Sequence, residues 1–143
     1  MPHKQTILLV DDEKAIADIL NRAAAAVFPA AEFIHIDSFN EAVEYFLGLK
    51  GKGPRLILLD YNLHSSMTGL DFLHLVRHHP HGRLVPVVIL SSNPSERLVK
   101  EALLFGASAV TAKPFSFADW KAYVGQLRSY WFDIATIPSL HFC

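Results

Sequence analysis

Short runs of Val, Ile and Leu recur along the 143-residue chain and alternate with segments that have helical spacing. Three of the runs are almost continuously apolar, which is typical of parallel strands that are covered by helices on both faces. The runs predict strands over residues 7–10, 32–36, 56–59, 85–90 and 108–112. This alternation constrains the fold more than any other feature, because repeated strand–helix units with right-handed crossovers form one parallel sheet.

The segments between the strands carry apolar residues three and four positions apart, as amphipathic helices do. Ser38 with Glu41, and Ser116 with Asp119, have the spacing of a helix-capping box. The 51–54 segment is predicted to be a turn, and the fifth helix to run past residue 128 before Pro138. The predicted fold is therefore an α/β sandwich of three layers, doubly wound around a five-stranded parallel sheet in the order 2-1-3-4-5.

Length and composition narrow the classes of function. A chain of 143 residues fits one domain. The net charge of -1 argues against a nucleic acid or an anionic membrane as partner. The single cysteine, Cys143, excludes an internal disulfide, and no apolar stretch is long enough for a signal peptide or membrane span, so a cytoplasmic protein is predicted. Only 19% of residues are charged while 51% are apolar, which leaves apolar surface for a protein partner.

The chemistry-bearing residues follow the predicted strands, where a doubly wound sheet has its ligand crevice. The first and third strands are neighbours in the predicted order, so their acidic residues converge on one spot. The residues at the strand ends are Asp11 and Asp12, Asp60, Ser91 and Ser92, and Lys113.

Two carboxylates about 4 Å apart repel by about 4 kcal/mol at an effective dielectric constant near 20, so the cluster needs a cation. Several charged oxygens with room for water suit Mg²⁺. Lys113 and Ser91 are the kinds of group that hold phosphoryl oxygens. Each residue also has an ordinary interpretation: Asp12 as a helix N-cap, Asp60 as a turn residue, Ser91 as a cap of the fourth helix, and Lys113 as a solvated loop residue. Their joint occurrence at one sheet edge favours a site.

Five sequence strings resemble the receiver domains of two-component response regulators over about residues 5–128. In order, they are Ile7-Leu-Leu-Val-Asp-Asp-Glu13, Leu56-Ile-Leu-Leu-Asp-Tyr-Asn-Leu63, Gly69-Leu-Asp-Phe-Leu73, Val85-Pro-Val-Val-Ile-Leu-Ser-Ser92 and Gly106-Ala-Ser-Ala-Val-Thr-Ala-Lys-Pro-Phe115. The order and spacing of the five strings carry the resemblance, since each string alone is weakly specific.

The resemblance implies a role for each matching position. Asp60 would accept a phosphoryl group from a phosphohistidine. Asp11 or Asp12, the Asp60 carboxylate and the backbone carbonyl of Asn62 would hold Mg²⁺. Ser91, with Ser92 beside it, and Lys113 would bind the phosphoryl group, and the bond from Lys113 to Pro114 is expected to be cis.

The chain departs from the family pattern at two places. Val110 stands three residues before the lysine, where the family usually has an aromatic switch residue. The loop after Asp60 is one residue longer than the usual form and lacks its proline. A paired hydroxyl and aromatic switch is therefore not expected, and the phosphoryl lifetime and the kinase contact are expected to differ.

The resemblance predicts a stand-alone response regulator, with a receiver over residues 1–129 and an extension of helix five with an apolar tail over 130–143, without a separate output domain. Tyr130-Trp-Phe132 followed by Ile137-Pro138 resembles the tail of single-domain regulators that are paired with phytochrome-type histidine kinases. The implied partners are therefore a sensor histidine kinase of that type or a phosphotransfer protein, and a downstream protein. A homodimer through helix four, strand five, helix five and the tail is a further expectation. The candidate interface residues are Trp120, Tyr130, Trp131 and Phe132, although Trp131 and Phe132 folding back onto the domain is an equal alternative.

Two other functions compete with a phosphorylated receiver that assists only its own phosphoryl transfer and hydrolysis. One is a phosphorylation-silent docking module, which Val110 favours and the complete acidic site opposes. The other is a haloacid-dehalogenase-like phosphatase. That family has its nucleophile in an Asp-x-Asp motif after the first strand, whereas here the acidic pair comes early and the lone Asp60 is central.

Overall fold

The structure is a computed structural model that describes residues 4–137 and 140–142. Its main sheet has five parallel strands in the order β2-β1-β4-β5-β6. These strands are β1 (Gln5–Val10), β2 (Ala31–Ile36), β4 (Leu56–Asp60), β5 (Val87–Ser91) and β6 (Ala109–Ala112). Since β3 is a short strand outside this sheet, the predicted order 2-1-3-4-5 is confirmed.

The strand register aligns the carboxyl ends of the strands that carry the site. Val10 of β1 is level with Leu59 of β4, so Asp11 and Asp60 are the next residues of two adjacent strands. Asp60 is level with Leu90 of β5, and Ser91 is level with Ala112 of β6. The predicted site residues therefore meet at one edge of the sheet.

Five helices cover the two faces of the sheet, two on one face and three on the other. They are α1 (Lys14–Val27), α2 (Phe39–Leu47), α3 (Gly69–His78), α4 (Glu96–Leu104) and α5 (Phe117–Leu127), which a π-helix (Arg128–Ile134) continues. Ser38 and Ser116 cap α2 and α5, accepting hydrogen bonds from Glu41 N and Asp119 N, as the sequence predicted. Ser95 caps α4 in the same way, so Ser91 is free of that role.

Alternate residues of each buried strand pack on opposite faces, which gives the three layers. Leu8 and Ile57 face α2, α3 and α4. Ile7 and Leu58 face α1 and α5. The central strand β4 is buried along its whole length, as expected for a strand that helices cover on both sides.

The end of the described chain returns to the domain. β7 (His141–Phe142) pairs antiparallel with β3 (Gly51–Lys52), so the segment that was predicted to be only a turn contains a short strand as well. The sequence could not show this, because a two-residue strand has no periodicity of its own. Phe142 is 1% exposed and lies in the core layer of α2 and α3, with its ring centroid 5.6 Å from that of Phe46.

The predicted interface aromatics are placed differently from one another. Trp120 is 2% exposed and packs in the core between α1 and α5, so the prediction that it is available to a partner is wrong. Trp131 and Phe132 are partly buried against the same layer, and the Phe132 ring lies edge-on to Phe28 at 5.1 Å. Tyr130 is exposed. The burial of Trp131 and Phe132 agrees with the alternative that these two residues fold back onto the domain.

The peptide bond between Lys113 and Pro114 is trans, the ordinary form of such bonds, and not cis as the family resemblance implied. Among the described residues, no helix is both long enough and apolar enough to cross a bilayer.

Candidate functional site

An ion-pair cluster lies at the carboxyl edge of the sheet. Asp11 follows β1, Asp60 ends β4, and both are almost completely buried. Lys113, which follows β6 and is 9% exposed, places Nζ 3.2 Å from Asp11 Oδ2 and 3.3 Å from Asp60 Oδ1. Three of the residues predicted from separate strands thus form one group in the structure.

Backbone contacts hold the two buried carboxylates in place. The Glu13 N–H donates to Asp11 Oδ1 at 2.8 Å, and the Asn62 N–H donates to Asp60 Oδ1 at 3.3 Å. The imidazole Nε2 of His35, in β2, lies 2.7 Å from the carbonyl oxygen of Asp11. The fixed backbone reduces the freedom of both side chains, which favours an ordered site.

The loop after Asp60 is fixed by the start of α3. The Gly69 N–H donates to the Tyr61 carbonyl at 2.8 Å, and a Cβ at Gly69 would lie 2.4 Å from the Asp60 carbonyl oxygen. Only glycine allows this approach without a shift of the backbone. Thr68 and Asp71 add a full capping box at the helix N-terminus.

Burial controls the protonation of the cluster. Desolvation, followed by repulsion from Asp11, raises the pKa of Asp60 to about 6, although Lys113 opposes the shift. Desolvation also raises the pKa of Asp11. Burial tends to lower the pKa of Lys113, but the attraction of Asp11 and Asp60 outweighs it and the pKa is raised, so the ammonium stays charged. Asp60 is therefore mostly ionised at neutral pH. Its pKa is close enough to neutral pH that a change in the nearby charge would alter its ionisation.

Asp12 and Glu13 complete an acidic cluster suited to a divalent cation. One oxygen from each of Asp11, Asp12, Glu13 and Asp60 lies within 4.8 Å of the others. Asp12 Oδ1 is buried and has no hydrogen-bond partner. Such an uncompensated oxygen is costly unless a cation or water satisfies it. The residues therefore fit a hard cation with oxygen ligands.

Two residues of the cluster region were assigned no role from the sequence, although Glu13 follows the Asp pair in the first matching string. Glu13 places Oε1 3.5 Å from Lys113 Nζ. The Nδ1 atom of His64 contacts Asp12 Oδ2. Glu13 could have been inferred from its position after the Asp pair, but His64 depends on the path of the loop.

An open cleft of about 320 Å³ gives access to the cluster. Ser91 and Ser92 line it, as predicted, together with Asn93. The N-cap position of α1 is Glu13, without a side-chain hydrogen bond, so the N-cap interpretation of Asp12 does not apply. The cleft is lined by Glu13, Asp60, Tyr61, Asn62, His64, Ser91, Ser92, Asn93 and Lys113.

Val110 lies in β6, level with Ile89, and packs partly buried against the α2–α3–α4 core layer. A branched aliphatic side chain there has no aromatic ring to turn inward or outward. The neighbouring residue makes a different link, since the Thr111 and Tyr123 hydroxyls are 2.7 Å apart and join β6 to α5. Burial, partly opposed by that hydrogen bond, raises the pKa of Tyr123 to about 12, so this hydroxyl stays neutral.

Two curated relatives match the chain over most of their own length. It is 29% identical over 128 residues to the probable methanogenesis regulatory protein FilR2 of Methanothrix harundinacea, covering 87% of this chain and 82% of that protein. It is 26% identical over 140 residues to the response regulator Rcp1 of Synechocystis sp., covering 94% of each chain.

Two solved structures of response regulators superpose on almost the whole of this chain. The phosphorylated cyanobacterial phytochrome response regulator RcpA superposes with a TM-score of 0.82 at 26% identity, covering 95% of this chain and 99% of that chain. The Mn²⁺-bound form of Rcp1 superposes with a TM-score of 0.79 at 25% identity, covering 94% and 99%.

The family comparison decides between the functions that the sequence left open. The family model described as the response regulator receiver domain matches residues 7–125, which span β1 to α5 and include every residue of the buried ion-pair cluster. It favours neither the phosphatase nor the docking module. The chain therefore belongs to the receiver domains of the two-component response regulators, which accept a phosphoryl group and are not generally catalytic enzymes.

Proposed function

We propose that Asp60 is the phosphoacceptor and that its donor is the phosphohistidine of a sensor histidine kinase or phosphotransfer protein. The observation that carries this proposal is the placement of Asp60 in an open cleft, with Lys113 Nζ 3.3 Å from its Oδ1 atom. A carboxylate with a pKa of about 6 is mostly ionised at neutral pH and can act as a nucleophile.

In the proposed reaction, an Asp60 oxygen bonds to the phosphorus atom as the phosphorus–nitrogen bond to the donor imidazole breaks. The electron pair of that bond stays on the imidazole nitrogen, which then takes up a proton from solvent. Phosphoryl transfer needs positioning and charge neutralisation more than covalent catalysis. Lys113 supplies one fixed positive charge, and Ser91 and Ser92 supply hydroxyl donors at the cleft wall.

Mg²⁺ would neutralise the negative charge that Lys113 leaves uncompensated, and when bound it supplies electrostatic stabilisation of the phosphoryl oxygens. Asp11, Asp12 and Asp60 would hold it with carboxylate oxygens, and Asn62 with its backbone carbonyl. The buried oxygen of Asp12 without a partner supports this assignment. Further support comes from Rcp1, a related response regulator whose structure has been solved in a Mn²⁺-bound form.

A phosphorylation assay tests the assignment. The wild type is treated with acetyl phosphate, with and without Mg²⁺, and intact mass is measured. We expect one Mg²⁺-dependent phosphoryl adduct on the wild type and none on Asp60→Asn. Asp18→Asn is the matched control, since Asp18 is an exposed carboxylate of α1 outside the cleft. An adduct on Asp60→Asn equal to that on the wild type would show that another residue is the acceptor.

A second part of the proposal concerns hydrolysis of the phosphoryl group. The cleft is open to solvent, so water can reach a phosphorylated Asp60. We expect the chain to assist slow loss of its own phosphoryl group and to leave generic phosphomonoesters untouched. Following the decay of the adduct after removal of the donor measures the first, and a colorimetric phosphatase assay measures the second.

The kinase partner is proposed to be of the phytochrome type. Support comes from RcpA, a cyanobacterial phytochrome response regulator whose superposition covers this chain almost end to end. Phosphotransfer from a purified phytochrome histidine kinase should be faster than from a kinase of another sensory class. Equal rates would contradict this part alone, because the acceptor assay does not depend on the kinase.

The output surface is proposed to include the exposed apolar residues near α4 and β6, and to bind a second copy or a downstream protein. Leu104 is 86% exposed and Phe115 is 93% exposed. Residues 130–143 would extend the receiver unit of residues 1–129 beyond helix five, and Tyr130 in this extension is exposed. Analytical ultracentrifugation with beryllofluoride and Mg²⁺ should show a dimer that Leu104→Glu weakens. A monomer at high concentration would contradict the homodimer.

A further inference from the structure

His64 reaches the acidic cluster from the loop between β4 and α3. Its imidazole Nδ1 contacts Asp12 Oδ2, and the side chain of His64 is otherwise 61% exposed. The contact spans 52 positions of sequence. An exposed imidazole on a metal-site carboxylate has no part in the phosphoryl-transfer chemistry proposed above.

The backbone of the loop holds the imidazole in this place. His64 has a φ of 52°, in the left-handed region that few residues other than glycine, Asn, Asp and His adopt. The His64 N–H donates to Asn62 Oδ1 at 3.0 Å, which stabilises the turn. The direction of His64 toward Asp12 is therefore set by the turn that follows Asp60.

The two oxygens of Asp12 are in different situations. Oδ1 is buried and has no hydrogen-bond partner, whereas Oδ2 is taken by His64. A carboxylate that binds Mg²⁺ must present an oxygen to the ion. Imidazole is a poor ligand for Mg²⁺, because this cation prefers carboxylate, carbonyl and water oxygens.

We propose that His64 competes with the divalent cation for the negative charge of Asp12, with the imidazole at Oδ2 and the ion at Oδ1, so that Mg²⁺ binding weakens the His64 contact. His64 thus sets the Mg²⁺ concentration at which the site fills. This inference rests on the proposed metal site, and it adds a residue that lies outside the ligand set. The competition is an interaction of an exposed pair, so its removal should tighten Mg²⁺ binding by about two- to fivefold.

The test compares Mg²⁺ binding by isothermal titration calorimetry at one fixed pH. His64→Asn and His64→Gly both accept the left-handed backbone while removing the imidazole. We expect both variants to bind Mg²⁺ about two- to fivefold more tightly than the wild type. His74→Asn, which changes an exposed histidine of α3, should bind like the wild type. Unchanged or weaker binding in both His64 variants would overturn the proposal.

A second readout follows the imidazole directly. In nitrogen-resolved NMR spectra of the wild type, the ring resonances of His64 should move as Mg²⁺ is added, and those of His74 should stay. Ring resonances of His64 that are unchanged at saturation would overturn the competition. The circular dichroism spectra of the variants establish that they are folded.

Failure of this inference is distinguishable from failure of the metal site. If the wild type binds Mg²⁺ and the His64 variants bind no better, only the competition is wrong. If neither the wild type nor the variants bind, both the metal site and the competition are wrong. Binding by the variants alone would support the competition in its strongest form. Asp12→Asn should weaken binding in every background if the site is as proposed.

Discussion

Lys113 Nζ lies 3.3 Å from Asp60 Oδ1, and the same ammonium is 3.2 Å from Asp11 Oδ2. One cation therefore serves two buried carboxylates that would otherwise repel each other. Lys113, which we propose to bind the phosphoryl group, therefore also stabilises the folded protein by neutralising the acidic site. Removing Lys113 leaves two charges in a poorly solvated place.

The first prediction concerns this lysine. Lys113→Met keeps the aliphatic length and removes the charge, and it should lower the free energy of unfolding by about 3–5 kcal/mol at pH 7.5 without metal. Urea unfolding in the presence of a chelator measures the change. Asp60→Asn should recover more stability in the Lys113→Met background than in the wild type. Equal effects in the two backgrounds would show that Lys113 and Asp60 are not coupled.

The second prediction follows from the pKa of Asp60, which is about 6 in the folded protein against an ordinary value of 3.8. The folded state binds the proton more tightly than the unfolded state, so the contribution of Asp60 to stability falls as pH rises from about 4 to 6. Above pH 6 its ionisation destabilises the metal-free protein by about 3 kcal/mol. Asp60→Asn should therefore be more stable than the wild type at pH 7.5.

The test compares the free energy of unfolding of the wild type with that of Asp60→Asn at each pH, because the other titrating groups are the same in both proteins. Unfolding free energies in chelator should diverge between pH 4 and pH 6 and converge below pH 4. Added Mg²⁺ should stabilise the wild type and leave Asp60→Asn nearly unchanged. A gap that is constant across this range would mean that Asp60 titrates at its ordinary pKa.

The placement of Asp11, Asp60 and Lys113 could be predicted because it depends on features that are local in sequence. Continuous apolar runs mark buried parallel strands, and the residue after each run lies at the carboxyl edge. The sheet order then makes Asp11 and Asp60 neighbours. Nothing in this reasoning needs the conformation of a loop.

Contacts that depend on loop geometry or on the end of the chain could not be predicted. His64 reaches Asp12 only because its backbone adopts a φ of 52°. Phe142 enters the core by pairing with a strand of two residues, too short for any periodic pattern. Trp120 was mistaken for a surface residue because its helix buries one face, and spacing alone does not show which apolar residues stay exposed.

The third prediction concerns Gly69. A methyl group there would lie 2.4 Å from the Asp60 carbonyl oxygen, so Gly69→Ala must displace the loop that follows Asp60. We expect a loss of about 1–3 kcal/mol in unfolding free energy and slower phosphorylation. Gly125→Ala is the matched control, because a Cβ at Gly125 in α5 meets nothing within 4 Å.

That control should stabilise the protein by about 0.5–1 kcal/mol, since alanine is the better helix former. The opposite signs separate steric displacement from a general effect of adding a methyl group. Thermal unfolding and acetyl phosphate labelling on both variants provide the comparison. Normal labelling of Gly69→Ala would show that the loop after Asp60 tolerates the shift.

The fourth prediction concerns the return of the chain to β3. Phe142 is buried in the α2–α3 core layer, so Phe142→Ala should cost about 3–5 kcal/mol of unfolding free energy. Tyr130→Ala, at an exposed aromatic residue, should cost much less. Chemical denaturation of both variants measures the contrast. Equal losses would mean that Phe142 does not contribute to the core in solution.

Gly53 allows a sharper form of this test. A Cβ at Gly53 would lie 2.2 Å from the Phe142 ring, so Gly53→Ala should destabilise the wild type by displacing the ring. In the Phe142→Ala background the clash is removed, and Gly53→Ala should cost little. The interaction energy between the two substitutions should be about 0.5–3 kcal/mol, the range for residues in contact. Additive effects would show that the ring and the glycine are apart, and the strand pair of β3 and β7 would then not hold in solution.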